Sequence, residues 1–295
     1  MAEYVLGNLL EETFSPLQRK LMPEDLRFKR LMLEPVEDLG EFIRDCEIAS
    51  SDFKVAGEDR YLDWQDGWSG KGIANAGGTY DNLPYYFKNN THIRVGPSIY
   101  QDIAGFAEVD LLRSLQAVVF SQYLSCFRVA SIVEYGCGTG SNITFLKSLF
   151  GNYDFYAADW AISALENIVN KSILPKKNVF HTNYFDDSTF ASPTSQFVVF
   201  TNASLEQTGS RYLPFIRYLI ENDLCAGGIH IEPMRELLDL SVPANRQSFA
   251  YAEQRGYLEN FSGMMQSLPI EILLAQDFGI GSRFINGYQV LAWIK

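Results

Sequence analysis

The sequence predicts an α/β fold: a doubly wound, mostly parallel sheet with an antiparallel C-terminal hairpin and a mainly helical N-terminal lobe. Three observations predict it. Short apolar runs alternate with helical stretches from about residue 106 onward. Three glycines cluster where the first of those runs gives way to a helix. The last two runs follow one another with no helix between them.

The chain divides at about residue 105. Residues 1–105 read as a helical, aromatic-rich lobe, and residues 106–295 as the regular domain. In the lobe, "SPLQRKLM" (15–22) and "VEDLGEFIRDCEIASS" (36–51) carry apolar residues at helical spacing, and Ser15 before Pro16 marks a helix start. The basic run "RFKRLMLEP" (27–35) reads as a solvated helix face. "YLDWQDGWSGKGIANAGGTYDNLPYYFKNN" (61–90) breaks the helical pattern and reads as an ordered loop that carries its aromatic side chains outward, some of them toward a substrate.

In the regular domain, "AEVDLLRSLQAVVFSQYLSCF" (107–127) reads as a long amphipathic helix. The strand runs are "ASIVEYG" (130–136), "DFYAADW" (154–160), "KNVFHTN" (177–183), "QFVVFTN" (196–202) and "GGIHIEP" (227–233). Helices such as "SALENIVNKS" and "SRYLPFIRYLIEND" fall between them, so the crossovers are right-handed and the strands parallel. "IEILLAQDFG" and "GYQVLAWIK" close the chain as an antiparallel hairpin at the sheet edge.

Composition limits the partners. The 295 residues are 47% apolar, enough for a sizeable core, and carry 24 Lys and Arg against 36 Asp and Glu, a net charge of −12. An acidic chain is a poor general partner for nucleic acid. The four cysteines form no Cys-x-x-Cys pair and there are three histidines, so neither a metal site nor a disulfide framework is expected, and the cysteine usage fits a cytoplasmic protein. "MAEYVLGNLLEETF" has no basic start leading into an apolar core, and no segment is apolar enough to span a membrane.

"SIVEYGCGTGSN" places Gly136, Gly138 and Gly140 between the first strand and its helix. Glycine permits positive φ and lets main chain approach a ligand, and the helix start offers unpaired N–H groups. In an open α/β sheet this turn lies at the ligand crevice. The third glycine comes one residue too early for the dinucleotide fingerprint, with Ser141 in the glycine's place, and an acid, Glu134, stands two residues before the first.

Acid-x-Gly-x-Gly-x-Gly resembles motif I of the class I S-adenosylmethionine-dependent methyltransferases. The resemblance covers about residues 106–295 and implies a Rossmann-like methyltransferase fold with S-adenosyl-L-methionine as cofactor. It implies that Glu134, Gly136, Gly138 and Gly140 meet the amino-acid part of the cofactor. Asp159, nineteen residues beyond Gly140 at the end of the second strand, would take the ribose diol, and Trp160 would pack on the adenine. Asp159 also suits a helix cap. Asn183 or Asp186 after the third strand would approach the adenine amino group. Thr201, Asn202, Ala203 and Ser204 would form the pocket floor, and Glu206 would bind substrate, cap a helix or pair with Arg211. Tyr100 and His92 would close over the cofactor from the N-terminal lobe. His230 and Glu232 share one side of the fifth strand and are the candidates for a catalytic base.

The acceptor implied is a small polar molecule. "NASLEQ", "HIEP" and "RGYLENF" resemble a bacterial group that methylates sugars of surface polysaccharides, and Arg94, Arg246 and Arg255 would then grip a nucleotide-linked phosphate. A nucleotide-cofactor oxidoreductase and a non-catalytic S-adenosylmethionine-binding interaction protein are the alternatives. Whether the chain pairs as a homodimer is left open.

Overall fold

The computed structural model describes residues 2–43, 54–70, 73–75, 80–89, 92–103, 105–126, 128–282 and 288–295. In chain order its principal elements begin with β1 (Ala2–Val5), β2 (Arg30–Pro35), helix α1 (Tyr61–Gly67), β3 (Ile73–Asn75), β4 (Asp81–Pro84), β5 (His92–Val95) and β6 (Ser98–Asp102). Then come α2 (Ala107–Cys126), β7 (Ser131–Tyr135), α3 (Ser141–Leu149), β8 (Asp154–Asp159), α4 (Ile162–Asn170), β9 (Val179–His181) and β10 (Phe197–Asn202). The chain ends with α5 (Leu213–Glu221), β11 (Cys225–Glu232), α6 (Pro243–Gln254), β12 (Glu271–Asp277), β13 (Ile280–Ser282) and β14 (Gln289–Ile294).

The main sheet has seven strands in the order β12-β14-β11-β10-β7-β8-β9. Strands β7 to β11 run parallel, and β14 and β12 run antiparallel to them. The strands read from the sequence are therefore the strands of this sheet, including the closing hairpin. Its centre is buried on both faces, as in Ile132, Val133, Val198, Val199, Phe200, Ile229 and Ile231. That is why the parallel strands read as unbroken apolar runs. The order reverses between β7 and β10, which opens a crevice at the carboxyl ends of these strands.

Among the described residues the N-terminal lobe is not mainly helical. It holds a five-stranded sheet, β1-β2-β6-β5-β13, antiparallel throughout. The sequence hid it in strands of three to six residues. "RLMLEP" buries Leu31 and Leu33 in alternation, so this half of the basic run is a strand and not a solvated helix. "HIRVGPSIY" folds as a hairpin about Gly96, whose φ is +57°. Ser15 and Gln18 do form a reciprocal capping box on the helix Pro16–Lys20. Within 61–90, α1 and the β3–β4 pair replace the expected loop. The helix expected over 36–51 is present at residues 39–43, and its continuation lies outside the described residues.

Strand β13 comes from the C-terminal half, so the first sheet crosses the expected boundary at residue 105. Helix α2 is a second departure. It is buried on every side from Ala107 to Phe120, not amphipathic. Phe120 packs edge-on against Phe200 of the main sheet, 5.0 Å between ring centroids, and the Tyr123 hydroxyl donates to the Trp293 carbonyl at 2.7 Å. Other residues of α2 pack on β5 and β13, so the helix fills the space between the two sheets. Among the described residues no helix is long and apolar enough to cross a membrane.

Candidate functional site

The glycine turn bends through left-handed geometry at alternate residues, with φ of +75° at Gly136, +49° at Gly138 and +75° at Gly140. The amides of Gly136 and Cys137 both donate to the Ala158 carbonyl of β8, at 2.7 and 3.1 Å. The three glycines have different duties. A Cβ on Gly136 would overlap the Ser204 side chain, and one on Gly138 would press on the Trp68 indole at 3.2 Å. One on Gly140 would meet Ile173 and Ile168 at 3.1 and 3.2 Å. Gly136 and Gly138 thus face the crevice, whereas Gly140 serves close packing against α4 and does not line the cavity.

Asp159 ends β8 almost fully buried. Its Oδ2 accepts from the Gly138 amide at 2.9 Å, and its Oδ1 accepts from the Ala161 amide at the start of α4 at 2.8 Å. Burial pushes its carboxyl up to about 6, against the pull of these amides. The carboxylate thus ties the glycine turn to the residue that precedes α4 while still lining a cavity. Trp160 lines the same cavity, held edge-on by Tyr61 at 5.6 Å and beside Phe185 at 5.7 Å.

Helix α1 roofs this space with Trp64 and Trp68, stacked at 5.6 Å and 23°. The Ser163 hydroxyl donates to the Gln65 carbonyl at 2.6 Å, and the Asn167 amide donates to the Trp68 carbonyl. The roof is thereby fastened to α4. Past the roof lies a wider cavity that shares Trp64, Trp68, Gly136 and Ala203 with the first. It is bounded by Asn142 and Asn202, whose side-chain oxygens both accept from the Gln116 amide of α2, at 3.0 and 3.3 Å. Glu108, Glu206, Tyr257 and Tyr288 form its polar wall.

Several expected site residues are elsewhere. His230 is fully buried, its Nδ1 hydrogen-bonded with the Thr201 hydroxyl at 2.9 Å and its Nε2 accepting from the Trp293 indole at 3.0 Å. Burial pushes it down to about 3, so it is a neutral core side chain and not a base. Glu232 is also fully buried, and its carboxylate accepts from the amides of Ser204, Leu205 and Glu206 at 3.0–3.2 Å. It holds the turn after β10 in shape and reaches neither cavity. The alternation that put the pair on one side of β11 holds, but that side faces the core. Glu232→Gln should therefore lower stability by about 2–3 kcal/mol, since an amide cannot accept from all these donors; chemical denaturation checks this.

Thr201 is likewise a core residue, and the cavity floor begins one residue later at Asn202 and Ala203. Asn183 turns back to accept from the Phe185 amide at 3.0 Å, leaving Thr182, Tyr184 and Phe185 to line the cavity. Tyr100 packs on Tyr4 at 5.5 Å in the first sheet and does not close over the site. Glu134 does not line the cavity. Its Oε1 accepts from Asn142 at 2.7 Å, its Oε2 has no partner, and burial pushes it up to about 8. Glu206 does not pair with Arg211, which lies over the Phe185 ring at 4.3 Å. Sequence reasoning missed Glu108 and Gln116, inside a helix that read as merely amphipathic. The tryptophans of "YLDWQDGW" were the one signal for the roof.

The raised carboxyls have a measurable consequence. Glu134 and Glu206 are each held up at about 8, so the folded protein keeps protons that the unfolded chain releases near pH 4.5. Their stabilisation is complete below that pH and is lost as pH rises toward about 8. His230 acts oppositely, but only below about pH 6.5. Between pH 6.5 and 8 the ligand-free protein should therefore melt at progressively lower temperature, as scanning calorimetry would record.

No protein-family model matches the chain, and no curated protein matches it. Solved structures resemble it distantly. The plantazolicin methyltransferase BamL, in complex with a triazolic desmethylPZN analog and SAH, is 17% identical, over 64% of this chain and 86% of its own, with a TM-score of 0.43. Human N-acetylserotonin methyltransferase with SAM is 15% identical, over 62% of this chain and 53% of its own, with a TM-score of 0.41. The methyltransferase domain of bacterial CtHen1 is 16% identical, over 63% of this chain and 99% of its own, with a TM-score of 0.43. At this level of likeness no activity or substrate passes from them to this chain.

Proposed function

We propose that this chain is a small-molecule group-transfer enzyme, and specifically an S-adenosylmethionine-dependent methyltransferase acting on a small polar acceptor. The observation that carries the reading is the joining of the Asp159 carboxylate, the exposed main chain of Gly136 and the Trp160 ring in one roofed cavity at the strand-order reversal. The cavity walls also hold buried polar atoms with no partner: Trp64 Nε1, Thr139 Oγ1, Glu206 Oε2 and Gln207 Oε1. Such groups are costly to bury unpaired, so they fit a polar ligand.

Asp159 would hold the ribose, Trp160 and Phe185 the adenine, and the 136–139 turn with Asn142 the amino-acid part. The cofactor, when bound, supplies a methyl already activated by its sulfonium. The chain's own residues then supply position and dryness. Trp64 and Trp68 exclude water from above, and Asn202 and Ala203 set the floor where the two cavities join. Nothing in the geometry favours a phosphate-bearing acceptor. No Lys, Arg or His stands among the described residues that line either cavity. Arg94 donates to the Gly96 carbonyl and to Asn245, and Arg246 donates to the carbonyls of Leu240 and Ser241. Titration calorimetry with S-adenosylhomocysteine tests the cofactor assignment. Binding at one site is expected, accompanied by a change in tryptophan fluorescence from the roof; no heat and no spectral change would refute it.

A further inference from the structure

The wider cavity has a distinct sign. Among the described residues its titratable lining consists of two glutamates, four tyrosines and the Cys137 thiol. Glu108, in the first turn of α2, and Glu206, just after β10, come from the start and the middle of the regular domain, yet both are more than nine-tenths buried beside this one space. The Tyr288 hydroxyl donates to Glu108 Oε1 at 2.8 Å. Glu206 Oε1 accepts from the Gln207 amide at 2.8 Å, and its Oε2 has no partner. Tyr86, Tyr251 and Tyr257 line the same wall. The Arg255 guanidinium lies 5.2 Å from the Tyr257 ring and partly offsets the charge of Glu206, but it does not line the cavity.

Resting on the methyltransferase reading, we propose that the acceptor carries a protonated amine, held between the carboxylates of Glu108 and Glu206 and against the tyrosine rings. Burial and the neighbouring Glu232 carboxyl push Glu206 up to about 8; an ammonium entering beside it favours its ionised form and gains charge-assisted hydrogen bonds. Tyrosine faces add cation–π attraction, and their hydroxyls keep the wall polar. An anionic acceptor meets the opposite: two acids and, among the described lining residues, no cation. A neutral polyol would satisfy the hydroxyl groups but offer Glu206 Oε2 no charge-assisted hydrogen bond.

The test is calorimetry on the full chain saturated with S-adenosylhomocysteine, using matched probes: 2-phenylethylamine against 2-phenylethanol, and glucosamine against glucose and glucose 6-phosphate. The amines should bind at least about tenfold tighter than their alcohol partners, and the phosphate should not bind. Glu206→Gln and Glu108→Gln should each weaken amine binding by about tenfold or more while leaving S-adenosylhomocysteine affinity unchanged. Both are shape-conserving, and Glu206 sits where its neutral form is already favoured, so the variants should melt no lower than the parent. Alcohols binding as well as amines, a preference for the phosphate, or no amine binding would overturn the proposal and leave the cofactor reading standing. Loss of S-adenosylhomocysteine affinity in Glu206→Gln would instead assign that carboxylate to the cofactor and overturn the proposal too. Failure of the parent protein to bind S-adenosylhomocysteine at all would sink the methyltransferase reading itself.

Discussion

Asp159→Ala should reduce S-adenosylhomocysteine affinity by roughly 100-fold or more, because two charge-assisted hydrogen bonds to a ribose diol are removed together. The same substitution should also cost the ligand-free protein about 2–3 kcal/mol of stability, since the amides of Gly138 and Ala161 lose their acceptor in a buried setting. The residue has two duties, and Asp159→Asn separates them. An amide keeps one acceptor oxygen for the turn but lacks the charge and the second acceptor that a diol needs. Melting temperature should recover partly in Asp159→Asn while affinity remains low. Affinity close to wild type in either variant would remove the ribose from this position.

Gly136→Val should have the other large effect. The residue sits at a φ of +75°, where a branched side chain is strained, and its Cβ would fall on Ser204. Ser204 cannot yield easily. Its amide is held by Glu232, and its hydroxyl donates to the Tyr135 carbonyl at 2.9 Å. Backbone strain and overlap together should cost roughly 3 kcal/mol or more, with cofactor binding lost in whatever fraction folds. A chain that melts and binds as wild type would mean that the turn is not seated on the end of β10. Gly138→Ala should be milder, because its neighbour is one face of an indole.

The regular domain was legible in the sequence because its signals are physical and local. Parallel strands buried on both faces give apolar runs such as "QFVVF", and a ligand turn needs glycine at named positions. The place of Asp159 beside the glycine turn followed from strand end and spacing. What failed was the direction of polar side chains inside the sheet. His230, Glu232 and Thr201 look functional as letters, yet the side of the sheet they occupy is set by packing, with Phe261 edge-on to His230 at 5.2 Å. Glu108 shows the reverse error. An acid in the first turn of a helix is ordinary on the surface, and only the packing of α2 between two sheets turns it into a cavity wall. The first sheet escaped notice because strands of three to six residues, most of them far apart in sequence, carry little periodic signal.

The placement of β13 has a consequence for how the chain comes into being. The edge that completes the first sheet is not synthesised until residue 282 has been made. On the ribosome β1, β2, β5 and β6 therefore wait, one border unzipped, until the whole segment between β6 and β13 has been translated. A fragment cut at residue 105 would strip the cover from α2 on one piece and leave an unpaired ribbon edge on the other.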